Sequence, residues 1–207
     1  MSTGERRERE RQERRQAILA AARTLFWRHG YAATTVPRIA RAAELAPGTL
    51  YLYFPGKGAL YAELLMEGFD HLIERLGGAG SPSDDPRVQA SRLIDAFIGF
   101  ARDYPEYFDI IFFVMQREKP YTRESALDED QLKRLRAKED ACKALAARAL
   151  ERAARLHALE DPAATVDAVW SMLVGLVFYF RKTGEETFAR VAARAKRLLL
   201  DAAFEPG

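Results

Sequence analysis

The chain has a single cysteine, Cys142, among its 207 residues. One cysteine excludes an intrachain disulfide and any zinc site built on cysteine pairs, and it fits a reducing compartment. Its simplest role is that of a small residue packed inside a helix. Histidine is almost as scarce. His29, His71 and His157 are scattered, with no metal-ligand spacing among them. No HExxH, GxSxG or glycine-rich phosphate loop occurs. No catalytic group, metal, cofactor or enzymatic activity is therefore expected. Long apolar runs are missing too. The most apolar stretch, WSMLVGLVFYF at residues 170–180, is about a dozen residues, against the roughly 20 that a helix needs to span a bilayer. The N-terminus is charged rather than apolar, unlike a secretory signal. The expectation is a cytoplasmic protein with no membrane partner.

A large net charge is also lacking: 32 basic against 30 acidic side chains leave +2. The distribution is uneven, however. Residues 1–60 hold 11 basic and 5 acidic groups, and the remainder is slightly acidic. A basic segment on an acidic body points to a nucleic-acid contact confined to one end. Alternating β-branched patterns are scarce, while Ala, Leu, Arg and Glu abound, which predicts an all-helical fold.

The stretch TTVPRIARAAELAPGTLYLYFPGK at residues 34–57 reads as two short helices and a tight turn. Val36, Ile39, Ala40 and Ala43 fall at helical spacing, which predicts a helix over 36–43. Thr35 is its cap, and Pro37 lies in the first turn, where a missing N–H costs little. Pro47 opens a second helix, 47–54, and Pro55-Gly56 ends it. Leu50 and Phe54 are its inward anchors. Gly48 permits close approach, Thr49, Tyr51 and Tyr53 offer hydroxyls, and Lys57 adds a point charge. Such groups contact phosphates and base edges in DNA-binding proteins. A helix-turn-helix of this kind places its second helix in the major groove. The candidate DNA-binding set is Thr34, Thr35, Arg38, Pro47, Gly48, Thr49, Tyr51, Tyr53 and Lys57.

These residues resemble the DNA-binding motif of the TetR/AcrR family of transcriptional repressors. The shared positions are Thr-Thr, Ile-Ala, Gly-Thr-Leu-Tyr, Tyr-Phe and Lys-x-x-Leu, with FWRHGY upstream, so the resemblance covers about residues 15–65. Two departures stand out: Ala46 where the family often has a capping serine, and Gly58 where an acidic residue usually follows the lysine. The resemblance implies a dimer whose last two helices form a four-helix interface. It also implies release of a palindromic operator when a small molecule binds the body.

The flanking sequence divides into a head over 1–60 and a ligand-binding and dimerisation body over 61–207. The first helix, about 10–29, carries Ile18, Leu19, Ala22, Leu25 and Phe26 on one face, and Gly30 ends it with a left-handed cap. Its arginine-rich start offers Glu5–Arg9 and Glu10–Arg14 pairs, and is either a basic arm on the DNA backbone or a solvated end. A linking helix is predicted over 58–76, then a polar loop at 77–86 and helices at 87–103 and from Pro105. A long helix starts near Ser125, with Ser125 and Asp128 spaced as a capping box. The eighth helix, from Pro162 to about Lys182, is apolar nearly all round and must be covered on every side. The ninth follows a Thr183–Glu186 box. The predicted dimer interface is Val166, Trp170, Leu173, Val177, Val191, Ala195 and Leu198. The aromatics Phe97, Phe100, Tyr104, Phe108, Phe112, Trp170 and Phe178 are the candidate pocket for a small hydrophobic effector, or plain core. Arg102, Asp109 and His157 are its candidate polar contacts. The competing function is a helical carrier or enzyme with a vestigial head.

Overall fold

The computed structural model describes residues 3–81, 84–113, 128–157 and 161–204. Among the described residues the fold is all-α, with nine helices: α1 Thr3–His29, α2 Val36–Ala42, α3 Pro47–Tyr51, α4 Lys57–Gly77, α5 Pro86–Asp103, α6 Pro105–Phe112, α7 Glu129–His157, α8 Pro162–Phe180 and α9 Glu185–Phe204. Their ends follow local chemistry. Gly30 adopts φ 80° and its N–H closes α1 on the Phe26 carbonyl at 2.9 Å, the glycine cap the sequence predicts. Asp85 accepts from the Arg87 and Val88 amides to start α5, and Asp161 accepts from the Ala164 amide to start α8. Each is followed by proline in the first helical position.

Two predicted boxes differ. At α7 the reciprocal pair is Asp128 with Gln131: the Gln131 amide donates to Asp128 Oδ1 at 2.8 Å, and the Asp128 amide donates to Gln131 Oε1 at 3.0 Å. Ser125 lies outside the described residues. At α9 the Thr183 hydroxyl turns back to the Phe180 carbonyl at 2.6 Å. Gly184, with φ 97°, makes the turn into α9 instead. The start of α1 also pairs differently, Arg6 with Glu10 and Gln12 with Glu8.

Packing groups the chain into two compact units, residues 1–68 with 106–135 and residues 69–105 with 136–207. The first has Ile18, Ala22, Phe26, Ile39, Leu50, Leu60, Leu64 and Leu65 in its core. Helix α6 belongs to it. Tyr61 Oη donates to the Ile110 carbonyl at 2.7 Å, Arg23 reaches Tyr107 Oη at 2.8 Å, and Gly68 leaves room for Tyr107 and Ile111. Burial works against charge on Arg23, yet Tyr107 and Glu106 outweigh it and raise the guanidinium pKa. Burial and the Glu67 carboxylate push the Tyr107 phenol well above its ordinary range.

In the second unit α5, α8 and α9 pack on one another. Ile94, Phe97, Val166, Leu173, Val177 and Leu200 are buried there, and Trp170 meets Phe97 edge-on at 5.0 Å between ring centroids. Arg87–Asp201 and Lys196–Asp95 link α5 to α9 at its surface, each contributing about 0–1 kcal/mol.

This arrangement corrects part of the predicted interface. Val166, Leu173 and Val177 form the inner face of α8, and Trp170 packs on Phe97, so none of the four lies on its outer face. Outside, Ala164, Ala168, Ser171, Met172, Phe178 and Tyr179 are exposed at helical spacing. On α9, Leu198 is exposed, while Val191 and Ala195 are half-buried. The apolar window of α8 also begins earlier than the 170–180 run. Ala163–Phe180 has a mean hydropathy of 1.6 and only 22% of it is buried. By length and composition alone that helix can cross a membrane, a test that core helices of soluble proteins also pass.

Candidate nucleic-acid interface

Helix α2 is held against α1 and α3. Thr35 caps it, its hydroxyl oxygen accepting from the Arg38 amide at 3.4 Å, and Val36, Ile39 and Ala40 bury its inner face. Its far end closes in a Schellman arrangement. The Leu45 amide donates to the Ala40 carbonyl at 2.8 Å, and the Glu44 amide to the Arg41 carbonyl at 3.1 Å. Glu44 sits at φ 56°, the one non-glycine residue in left-handed backbone among the described residues. That turn aims the chain into α3 within three residues.

Helix α3 is shorter than predicted, Pro47–Tyr51, with Leu52 as its C-cap. Ala46 gives no side-chain cap, as its methyl group dictates. Leu50 and Phe54 are buried and anchor the segment, as expected. Pro47, Gly48 and Tyr51 are exposed, while Thr49 and Tyr53 are half-exposed. A Cβ at Gly48 would meet nothing within 4 Å, so the helix start is open for close approach. Leu52, outside the predicted set, is 76% exposed beside Tyr51. Its only sequence signal is a large apolar side chain off the Leu50–Phe54 stripe.

Other candidates stand differently. Thr34 is fully buried: its hydroxyl lies 2.7 Å from the Gly30 carbonyl and 3.2 Å from that of Leu25. It locks the α1–α2 corner, so its side chain does not reach the exposed surface, a correction to the predicted set. Thr35 and Arg38 are exposed at the start of α2, with Arg38 donating to His29 Nε2 at 2.8 Å. Lys57 is half-buried. Its Nζ donates to the Tyr31 carbonyl at 2.8 Å and lies 4.1 Å from the Tyr31 ring centroid. An ammonium has three donors, so this anchoring sets its position without exhausting it. Thr35, Arg38, Pro47, Gly48 and Tyr51 are exposed and Thr49 and Tyr53 half-exposed along α2, α3 and the residues that follow α3.

The aromatic set does not gather into one pocket. Phe108 and Phe112 belong to the first compact unit and pack on each other with tilted rings, 4.8 Å between centroids. Phe100 is fully buried, Tyr104 lies flat on His71 at 4.7 Å, and Phe178 is exposed. Only Phe97 and Trp170 line the apolar cavity between α5, α8 and α9, about 50 Å³, with Leu93, Leu173, Leu199 and Phe204. Of the suggested polar contacts, Arg102 pairs with Asp103, Asp109 bonds Trp27 in the first unit, and the side chain of His157 lies outside the described set. No group of three or more His, Cys, Asp or Glu residues placed to hold a metal occurs among the described residues.

A short exposed helix, set by a capped partner helix and a Schellman turn, is a helix-turn-helix head. Residues 18–64 match the family of bacterial regulatory proteins named for tetR, so the head is similar to that family's DNA-binding domain. It is similar to the HTH-type transcriptional activator FasR of Mycolicibacterium smegmatis, 30% identical over 102 residues, covering 49% of this chain and 47% of the relative. It also resembles the HTH-type transcriptional repressor KstR of Rhodococcus jostii, 38% identical over 74 residues, covering 36% and 34%. The chain thus spans less than half the length of these curated relatives. A crystal structure of a TetR-family transcriptional regulator from Bordetella parapertussis superposes with a TM-score of 0.73 at 26% identity, over 90% of this chain and 94% of that one.

Proposed function

We propose that this protein is a dimeric, ligand-responsive transcriptional regulator, a repressor that releases a palindromic operator when a small hydrophobic molecule binds its second compact unit. The observation that carries the reading is the exposed start of α3, where Gly48 and Tyr51 are exposed and Thr49 half-exposed, while Leu50 and Phe54 anchor the segment from inside. In the groove, Thr49 and Tyr51 lie nearest the bases, while Tyr53 and Lys57 contact phosphate. The largely apolar outer stripe of α8, with Met172, Phe178 and Tyr179, bordered by the Asp167–Lys143 pair, is the surface that a second copy covers. The effector enters the cavity lined by Phe97 and Trp170. That cavity is smaller than the roughly 150 Å³ that holds a benzene, so an effector enlarges it, and a ligand that forces α5, α8 and α9 apart binds the two arrangements unequally.

Selection of duplexes from a random pool by the purified chain, followed by anisotropy titration, tests the reading. Enrichment of a palindrome bound far tighter than random DNA supports it. Uniform weak binding to every duplex would overturn it. Met172→Lys should dissociate the dimer without unfolding the chain, whereas Leu173→Lys, placed inside, should unfold it. Sedimentation and far-UV dichroism read the two effects separately.

A further inference from the structure

Helix α1 extends well beyond the head it helps to build. Ile18 and Ala22 are fully buried, but residues 4–14 are all exposed. The contacts of Arg15 mark where the extension leaves the packed core. Its guanidinium lies 5.0 Å from the Phe54 ring centroid and 2.8 Å from Glu63 Oε2. Phe54 is part of the junction between α3 and α4, so the arm departs beside the segment that carries Tyr53 and Lys57.

The charges on this arm are sorted by face. Arg7, Arg11 and Arg14 stand at i, i+4 and i+7, and the same line continues through Ile18 and Ala22. The face of α1 that packs on the rest of the head thus becomes, further out, a stripe of arginine. No acidic residue lies on that line. The acids sit elsewhere: Glu10 pairs with Arg6 at 3.5 Å, and Glu8 accepts from Gln12 at 3.0 Å. Arg7, Arg11 and Arg14 have no ion pair among the described residues. From Arg7 to Arg14 the stripe is about 10 Å long at 1.5 Å per residue, about the rise of three nucleotide steps of 3.4 Å along the duplex axis. Residues 4–16 contain no apolar side chain larger than glycine's hydrogen. The arm therefore has nothing to insert into a lipid surface.

We infer that Arg7, Arg11 and Arg14 form a second DNA contact, a phosphate clamp on the backbone flanking the sequence read by α3. This inference rests on the DNA-binding function proposed above and adds a sequence-independent component to it. The arm rises from the head as helix, so its arginines are aligned before DNA arrives, and guanidinium forks suit phosphate oxygens.

The test compares two full-length variants: Arg7→Gln, Arg11→Gln, Arg14→Gln on the stripe, and Arg6→Gln, Arg9→Gln off it. Each is titrated against the selected operator and a scrambled duplex over a salt series. Each lost phosphate contact lowers the salt slope by about 0.9. The stripe variant should lose about 2–3 from the slope, with the same fold loss for both duplexes, and the off-stripe variant less than 1. Dichroism of both variants controls for the helix. Should the wild type bind no duplex, the proposed function fails as well. A wild type that binds while the stripe variant keeps its slope overturns the clamp alone. So does an equal loss in both variants, which would mark diffuse charge rather than a stripe. A loss confined to one base preference also overturns a phosphate clamp.

Discussion

Trp27 Nε1 donates to Asp109 Oδ2 at 2.7 Å, joining α1 to α6 across 82 residues of sequence. Asp109 is only 5% exposed and is one of two polar or charged residues in the buried set, Thr34 being the other. Trp27 and Asp109 both lie in the compact unit that carries α3.

Trp27→Phe removes the donor and leaves a buried carboxylate short of one hydrogen bond. A bond to a charged acceptor contributes about 1.5–3 kcal/mol, so a loss of that size is expected. The urea midpoint should fall at unchanged slope. A change below about 0.5 kcal/mol, within the scatter of surface substitutions, would show that the bond contributes little. Asp109→Asn should cost less, because an amide oxygen still accepts.

Glu44 holds left-handed backbone at the turn between α2 and α3. A side chain in that region costs about 1–2 kcal/mol, and glycine escapes the cost. Glu44→Gly should therefore raise stability by up to about 1 kcal/mol, since glycine also loses more entropy on folding. Glu44→Val should lower it by more, because β-branching crowds the backbone further. Thermal midpoints for the pair check the sign. Equal midpoints would mean the turn tolerates any residue.

The glycine in α4 predicts the opposite sign. A Cβ at Gly68 would lie 3.1 Å from Tyr107 Cδ1 and 3.2 Å from Ile111 Cδ1. Gly68→Ala should cost about 1–3 kcal/mol by overpacking, partly offset by a gain of up to about 1 kcal/mol in helix propensity. Gly175 in α8 has no atom of its own chain within 4 Å of the same position, so in the separated monomer Gly175→Ala should show the propensity gain alone. If Gly68→Ala were stabilising by the full propensity gain, α6 would not pack as described.

Cys142 supplies a pH dependence. Burial, with the Glu139 carboxylate adding to it, pushes its thiol up to about 12. The folded chain favours the neutral thiol, so this contribution is whole below the unfolded value near 8.5. It is lost as pH rises from there toward about 12, because the unfolded chain releases the proton first. At pH 8 a thiol reagent should modify Cys142 only as fast as the chain opens. Immediate stoichiometric labelling of the native protein would contradict its burial.

The parts most legible in the sequence were those fixed by local chemistry. Thr35, Gly30, Asp161 and Pro47 act where their side chains or backbone preferences place them, because a cap is decided within a few residues. The left-handed turn at Glu44 was not legible, since no glycine or asparagine marks it. Thr34 illustrates a further limit. A hydroxyl beside the motif looks like a DNA contact, but only the folded corner shows two carbonyls within its reach. The aromatics failed as a set for a related reason. Helical spacing tells which residues share a face, and says nothing about which neighbour that face meets. Phe108 and Phe112 therefore fell in the head's unit and not beside Phe97. On α8, an almost uniformly apolar sequence left its inner and outer faces indistinguishable until α5 and α9 were in place.

Helix α6 lies more than forty residues downstream of the helix-turn-helix, yet packs as part of the same compact unit. A protein engineer who grafts residues 1–60 onto another regulator would leave the Tyr61–Ile110 bond behind and deprive Arg23 and Trp27 of Tyr107 and Asp109. A portable reading head for designed sensors must carry Glu106–Phe112 with it, or supply a substitute surface from the acceptor protein.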